Sequence, residues 1–329
     1  MIDFKGIIGH YTPIKILKNI IKQDMLGHSY LFIGKEGIGK KLTAIAFSKS
    51  INCLNLSNSQ ESCNSCFSCK KIENNTSTDF NIISPVNSVI KISAIRELKN
   101  NIYFQPLENK KKVYIIDDAD KMTLEASNSL LKILEEPPDY AVLILITSVP
   151  DLILPTIISR CCKIVFKPLS IENQKNILLK NIPADLKKIE GLIKLCHGSP
   201  GKALDLFDDK DRVNLGYKFI DSFSGVNPEE ISSFVFSYEK LFPNISDNFN
   251  DFVEMMILWF RDVLFFKIGI DKNQLFFKEN LSVLTRHAHY FTKKRLIIIL
   301  EYLINIPEDL EKHINQNTLL ENFFIRLGD

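Results

Sequence analysis

The sequence predicts an α/β domain with a parallel sheet, followed by a region that is entirely helical. Over roughly the first 165 residues, short apolar runs alternate with segments of helical periodicity. Such alternation is typical of a parallel sheet that is covered by helices on both faces. Beyond Pro168 the strand pattern disappears, and the apolar stripe from Phe252 to Phe266 has helical spacing. The candidate strands are residues 29–33, 80–83, 113–116, 141–147 and 163–166.

The helices between these strands are predicted from the spacing of their apolar residues. The first, at residues 40–51, directly follows a glycine-rich turn. The helix at 122–136 ends at Pro137, because proline lacks the N–H group that continues a helix. A further helix is predicted where four apolar residues recur at helical spacing: Ile92, Ile95, Leu98 and Ile102. Residues 170–208 are predicted to form short helices, interrupted at Pro183 and at 198–201.

Composition and charge limit the classes of function. Apolar residues make up 45% of the chain and charged residues 24%, as in a globular protein with real cores. The net charge of +2 gives no strong attraction to nucleic acid or to an anionic membrane. Any role on DNA would therefore need a partner or a local basic patch. The runs 110–112 and 293–295 are candidate patches, although a solvated face is the simpler interpretation of each.

The start of the chain and its apolar runs favour a cytoplasmic location. No basic stretch followed by an apolar run opens the sequence, as a secretory leader would. The apolar run from Met255 to Phe260 is far shorter than the roughly 20 residues that span a bilayer. Seven cysteines, an odd number and mostly clustered, favour metal binding over disulfides.

A glycine-rich turn between the first strand and the following helix resembles a phosphate-binding loop. It reads GKEGIGK over residues 34–40, and Gly34, Gly37 and Gly39 would let the backbone wrap around a phosphate. The N-terminus of the helix adds positive potential, and Lys40 would lie over the β and γ phosphates. A tight turn without a ligand is the alternative. The context, after a strand and before a helix, favours a site for ATP or ADP.

Two positions of this pocket are unsuited to hydrolysis. A Ser or Thr that coordinates Mg²⁺ normally follows the loop lysine, whereas here Lys41 would repel the cation. Asp117, at the end of a strand, is placed to hold the water shell of the metal. The next residue is usually Glu, and Asp118 is one methylene too short to position the attacking water. Alternatively, Asp118 and Asp120 begin a helix as cap and first-turn acid. We predict a nucleotide fold with weak or absent turnover.

Four cysteines are spaced as ligands of a structural metal. Zinc in a closed site takes four tetrahedral thiolates, and closely spaced cysteines on a knuckle supply three of them. The polar segment between the first and second cysteine cannot fold by itself, so the metal would organise it. A redox dithiol, an iron–sulfur cluster and free thiols are the alternatives. The lone cysteines Cys161, Cys162 and Cys196 are expected to pack as thiols. The four candidate ligands are Cys53, Cys63, Cys66 and Cys69.

Several segments together resemble the bacterial clamp-loader AAA+ subunits. These segments are residues 8–10 and 27–32, the cysteine knuckle after the phosphate-loop helix, LLKILEEPP at 130–138, and SRC at 159–161. The resemblance covers the first 205 residues or so, and beyond them it rests on length and helical content. It implies a RecA-like AAA+ domain at 1–167 with a zinc module at 53–69. A small helical lid at 168–208 and an all-α collar domain at 209–329 would follow.

The resemblance also distinguishes two kinds of subunit within the family. The ATP-hydrolysing gamma/tau type has a Thr in the loop, an Asp-Glu pair and an arginine in the lid motif. Here Gly201 stands where that nucleotide-sensing arginine would be, and Lys41 and Asp118 depart in the same direction. The chain therefore resembles the stator subunit of the family. A gamma/tau-type subunit or other AAA+ motor is the first alternative. A zinc-dependent nucleic-acid-binding module with a vestigial nucleotide fold is the second, and near-neutral charge argues against it.

The family implies a set of partners and a function in trans. A stator of this kind lies in a hetero-pentamer with gamma/tau and delta subunits, which loads the sliding clamp onto primer-template DNA. Arg160 corresponds to the arginine finger of the family and would reach the ATP of a neighbouring subunit. Thr147 and Ser148 lie where the family has its first sensor, although hydrogen bonding at the strand end explains them equally well. No membrane partner is implied.

Overall fold

The computed structural model describes residues 2–182, 189, 193, 198–208, 249–311 and 314–328. The first compact unit ends at Asn181, and residues 198–202 also belong to it. The other described residues form a second unit. Part of the expected lid, Cys196 and the first forty positions of the expected collar lie outside the described residues. The three boundaries at 1–167, 168–208 and 209–329 therefore stay predictions.

The first unit alternates strands and helices, as the sequence predicts. Its strands are β1 (Ser29–Ile33), β2 (Phe80–Ile83), β3 (Lys112–Ile116), β4 (Ala141–Thr147) and β5 (Cys162–Val165). Its helices are α1 (Tyr11–Lys22), α2 (Lys40–Asn52), α3 (Phe67–Glu73), α4 (Ile92–Ile102), α5 (Leu124–Glu135), α6 (Pro155–Ile158) and α7 (Ile171–Asn181), and it also contributes the start of α8 (Pro200–Asp208). Short 3₁₀ helices occupy Ala119–Lys121 and Pro150–Leu152.

All five strands form one parallel sheet in the order β2-β3-β4-β1-β5. Successive side chains of a strand point to opposite faces, so β1 contributes to two cores. Phe32 packs with Phe47 of α2 on one face, whereas Leu31 packs with Ile95 and Leu130 of α4 and α5 on the other. The predicted α/β domain with a parallel sheet, followed by helical segments, is confirmed.

The sheet brings the carboxyl ends of its strands to one edge, and this edge carries the candidate pocket. The phosphate loop follows β1, the acidic segment follows β3, and Thr147 ends β4. In open parallel sheets, ligands bind outside these strand ends. No helix in the described part of the chain is long and apolar enough to cross a membrane.

The second unit, as described, is helical. It contains α9 (Phe249–Lys267), α10 (Leu281–Tyr290), α11 (Lys293–Glu311) and α12 (Gln316–Gly328). Trp259 is fully buried, so the apolar stripe around it is core, and its indole N–H donates to His287 Nδ1 at 3.1 Å. Burial, with a smaller contribution from Arg286, lowers the pKa of His287 to about 4.

The buried His287 predicts that the second unit loses stability in mild acid. Its pKa is about 4 when folded and near 6.5 when unfolded, so only the unfolded chain takes up the proton between these values. The contribution of the neutral His287 to folding stability is complete above pH 6.5 and is lost as the pH falls from 6.5 to about 4. We expect the free energy of unfolding to drop by about 2 kcal/mol between pH 7 and pH 5. Urea unfolding should show a smaller drop in His287→Gln.

The exposed His289 lies on the same helix and provides the matched control. His289→Gln should keep the pH dependence of the parent chain. An unchanged drop in His287→Gln would contradict the assignment of this proton to His287.

Candidate functional site

The phosphate loop connects the end of β1 to the start of α2. Gly37 has φ 70° and Gly39 has φ 103°, values that favour glycine. Lys40 is the first residue of α2 and is buried. Its Nζ donates to the backbone oxygen of Gly34, and to that of Lys35 at 2.7 Å. Burial lowers the pKa of Lys40, while Asp118 and Asp117 raise it. The loop lysine is thus held by its own loop.

The position next to the loop lysine carries a second ammonium group. Lys41 Nζ lies 3.0 Å from Oδ2 of Asp117, the first residue after β3. Asp117 is the acid expected to hold the water shell of a magnesium ion, so its charge is already balanced by a residue of this chain. The donor set does not fit Mg²⁺, because an ammonium group beside the carboxylate repels a divalent cation. The structure nevertheless brings together the predicted pocket residues Gly34, Gly37, Gly39, Lys40 and Asp117.

The other two acidic residues of the segment are also engaged. Asp118 has φ 48° and precedes the 3₁₀ helix, but its side chain makes no cap hydrogen bond and pairs instead with Lys121 at 3.0 Å. Asp120 accepts a hydrogen bond of 2.5 Å from Thr147 Oγ1 and a weaker one of 3.4 Å from Ser148 N. Thr147 thus bonds at the strand end to an acidic residue of the same pocket edge.

The segment at 198–202 lies directly against the phosphate loop. Gly201 N donates to Gly37 O at 2.8 Å, and Ser199 Oγ donates to Glu36 O at 2.7 Å. A Cβ atom at Gly201 would stand 2.7 Å from both the Cα and the oxygen of Gly37, a distance that forces backbone to shift. The glycine at position 201 therefore has a structural reason of its own, because a side chain there would clash with the backbone of Gly37.

His10 is a pocket residue that the sequence reasoning used only as part of a resemblance. Its Nε2 lies 2.6 Å from Ile38 O in the phosphate loop, and its ring packs edge-on against Phe166 at 5.0 Å. Burial lowers the pKa of His10, which favours the neutral ring. A lone histidine before a helix carries no local signal for this contact, which only the fold creates.

Arg160 lies between α6 and the edge strand β5 and is half-exposed. One terminal nitrogen donates to Glu135 Oε1 at 2.9 Å, and the other donates to Thr156 O at 3.0 Å. The backbone oxygen of Arg160 accepts from Ser29 Oγ at 2.6 Å. Its hydrogen bonds go to these groups and not to the pocket residues. The Glu135 carboxylate and the Thr156 oxygen thus hold the guanidinium in place. Its remaining N–H groups donate to no described residue of the pocket.

The four clustered cysteines converge as the spacing predicts. The sulfur atoms of Cys53, Cys63, Cys66 and Cys69 all lie within 4.8 Å of one another. Cys63 N donates to Cys53 Sγ, and Cys66 N donates to Cys63 Sγ, each at 3.3 Å. Burial raises the pKa of Cys63, but hydrogen bonds from Ser65 and Cys66 outweigh it and lower that pKa to about 5. Four convergent sulfurs with N–H donors fit a closed tetrahedral metal site.

An ion pair and a hydrogen bond join the cysteine-bearing insert and its helix α3 to the rest of the first unit. Lys49 of α2 is fully buried and pairs with Glu73 at the end of α3, at 2.6 Å. Asn64 Nδ2, beside Cys63, donates to Asp3 Oδ2 at 2.7 Å. Because α3 carries Cys69 near its start, order at the metal site and order at these anchors are coupled.

The two basic runs are partly structural. Lys112 is buried, and its Nζ donates at 3.0 Å each to the backbone oxygens of Asn101, in the last turn of α4, and of Phe104, just beyond that helix. Lys111 Nζ donates to Asp139 O, and Arg295 donates to Arg326 O at 2.9 Å. These three side chains are held by backbone oxygens, whereas Lys110, Lys293 and Lys294 of the same runs are exposed.

Comparison with known proteins identifies the family. A family model described as "DNA polymerase III, delta subunit" matches residues 9–170, and one for its C-terminal part matches 238–329. The DNA polymerase III subunit delta′ of Bacillus subtilis is 31% identical, over 96% of this chain and 95% of that protein. The subunit gamma/tau of Mycoplasma genitalium is 33% identical over 91% of this chain, which spans about half (49%) of its length.

A solved gamma subunit-related protein from Thermotoga maritima is 19% identical and covers 96% of this chain and 98% of its own, with a TM-score of 0.41. The delta′ relative is thus similar from end to end, whereas the chain spans only part of the gamma/tau relative. The chain therefore belongs to the delta′ family of DNA polymerase III clamp-loader subunits.

Proposed function

We propose that this chain helps load the sliding clamp onto primed DNA as a subunit that hydrolyses little or no ATP itself and supplies Arg160 to the active site of a neighbour. The observation that carries the proposal is the ion pair between Lys41 and Asp117 at 3.0 Å. Hydrolysis in phosphate-loop enzymes depends on a metal ion between the β and γ phosphates. A lysine paired with the metal-binding acid removes that component from the pocket.

The contacts of Asp118 support the same proposal. An attacking water needs a carboxylate within hydrogen-bond reach, and this carboxylate is both shorter than Glu and paired with Lys121. The lid position that would carry a nucleotide-sensing arginine is Gly201, packed against Gly37. Three parts of the hydrolytic apparatus are thus altered in one pocket, which favours a stator over the gamma/tau type.

Arg160 is suited to act on a substrate bound elsewhere. Its guanidinium is half-exposed beside the edge strand β5, and its anchors leave N–H groups available for a phosphate. A guanidinium offered to a neighbour stabilises the charge of a transferring phosphoryl group. Glu135 and the oxygen of Thr156 would hold it in position.

For the cysteine cluster we propose structural zinc. Four thiolates leave no open position for a substrate or water, so the ion would order residues 53–69 and take no part in the chemistry. The partners that we propose are gamma/tau and delta subunits in a hetero-pentamer. Contact with the sliding clamp and with primer-template DNA would come through that assembly, in the cytoplasm.

Phosphate release from the purified chain tests whether its own pocket turns over. We expect release at the background level with ATP, Mg²⁺ and primed DNA, because Lys41 and the short Asp118 disable the pocket. Mixing the chain with the other loader subunits should give DNA-stimulated turnover that depends on this chain. Release by the chain alone at about one per second, a rate within the usual range of enzymes, would refute the proposal and favour an active AAA+ motor.

A further inference from the structure

The phosphate-binding face of the loop keeps its donors. No described residue accepts a hydrogen bond from the backbone N–H groups of Gly39, Lys40 or Lys41, which open helix α2. The segment at 198–202 bonds to backbone oxygens of the loop, at Glu36 and Gly37, and so leaves these N–H groups free. Adjacent N–H groups at a helix N-terminus, within a glycine-rich loop, form a concave site for an anion. The pocket has thus lost its metal site while keeping its anion site.

Lys41 supplies one of the two positive charges that Mg²⁺ would bring to the pocket. Its Nζ lies 3.0 Å from Asp117 Oδ2, and the side chain is 45% exposed, so the ammonium can be reached from solvent. An ammonium has three donors, and the carboxylate uses only part of them. The remaining N–H donors can bond to phosphate oxygens. The ammonium would then link Asp117 to the phosphates, the role that Mg²⁺ would otherwise take. Lys40, which donates two hydrogen bonds to backbone oxygens of its own loop, supplies a second ammonium group.

We propose that Lys41 replaces the divalent cation, so that this pocket binds the phosphates of ADP or ATP without Mg²⁺. The inference rests on the altered pocket of the proposed function and is independent of Arg160. Binding without the metal explains how a nucleotide could stabilise the loop and its contact with Gly201 in a subunit that does not turn over. Free nucleotide, and not its magnesium complex, is then the ligand.

Titration of the full chain with fluorescent ADP and ATP, once in EDTA and once in excess Mg²⁺, tests the proposal. We expect binding in EDTA, and no gain in affinity when Mg²⁺ is added. Lys41→Thr restores the usual metal ligand and removes the ammonium. Its affinity in EDTA should fall about tenfold, as expected for the loss of one charge-assisted hydrogen bond, and Mg²⁺ should restore it. Lys41→Arg should keep metal-free binding.

Lys22→Thr is the matched control, because it makes the same change at an exposed lysine at the end of α1, outside the phosphate loop. It should leave the EDTA affinity within about twofold, as expected for a screened surface charge. Nucleotide binding that requires Mg²⁺ in the parent chain would overturn the proposal, and so would the absence of binding under both conditions. Because the titration uses the chain without partners, its failure is separate from any failure of Arg160 to act in the assembled loader.

Discussion

Replacing Cys66 by Ser is expected to release the bound metal and to unfold the insert at residues 53–69. A structural zinc site contributes about 10–16 kcal/mol of apparent binding free energy in small peptides, and that energy folds the segment. The insert here is mainly polar and has little apolar surface of its own to bury. We expect the parent chain to carry one zinc per molecule, measured by elemental mass spectrometry. Cys66→Ser should carry less than about a tenth as much, and protease should cleave it between Cys53 and Cys63.

The disorder should extend beyond the insert, because α3 carries both Cys69 and the partner of Lys49. If α3 loosens, the fully buried ammonium of Lys49 loses Glu73, and breaking a buried pair costs about 3–5 kcal/mol. Thermal unfolding of the first unit should therefore begin at a lower temperature in Cys66→Ser. Cys161 is buried as expected, but the prediction that Cys162 packs is wrong, because it points to the exposed side of the edge strand β5. Cys162→Ser is therefore the control, since this thiol is exposed and outside the cluster. Full zinc content in Cys66→Ser would contradict a four-thiolate site.

Arg160→Ala is expected to leave the chain folded and to slow ATP hydrolysis at the neighbouring site. Its ion pair with Glu135 joins two half-exposed side chains, and such surface pairs contribute about 0–1 kcal/mol to stability. An arginine finger, by contrast, contributes about 10³ to 10⁵ in rate. The DNA-stimulated ATPase of the reassembled loader measures the loss. Arg96→Ala removes an exposed arginine from α4 and should have no effect.

Much of the fold follows from local pattern. The strands β1, β2 and β4 have the predicted bounds, and β3 and β5 differ by a single residue at their ends. Strands buried on both faces appear as continuous apolar runs, as in the fully buried β4. The metal site is equally local, because three of its cysteines fall within seven residues and the fourth directly follows the preceding helix. Such features need no knowledge of distant contacts.

The pocket shows where local reasoning stops. Lys41 could be recognised as a wrong residue for a metal site, but its pairing with Asp117 joins segments that are far apart in the sequence. The contact between Gly201 and Gly37 also joins distant segments. From the sequence, Gly201 could be recognised only as a glycine in place of an expected arginine. Glu135 belonged to a recognised motif, yet its role as the anchor of Arg160 depends on how α5 and α6 pack. Non-local pairs of this kind are set by the fold and carry no signal in spacing.

The rate of phosphate release in a single turnover, in loaders assembled with the parent chain, Arg160→Ala or Arg160→Lys, tests the central claim most directly. Completion of a neighbour's active site by Arg160 predicts that both variants assemble normally and that the site facing position 160 slows by about 10³ or more. Lysine should not rescue it, because it lacks the planar fork that holds a phosphate in two places. Release at the parent rate from a fully assembled Arg160→Ala loader would contradict the claim.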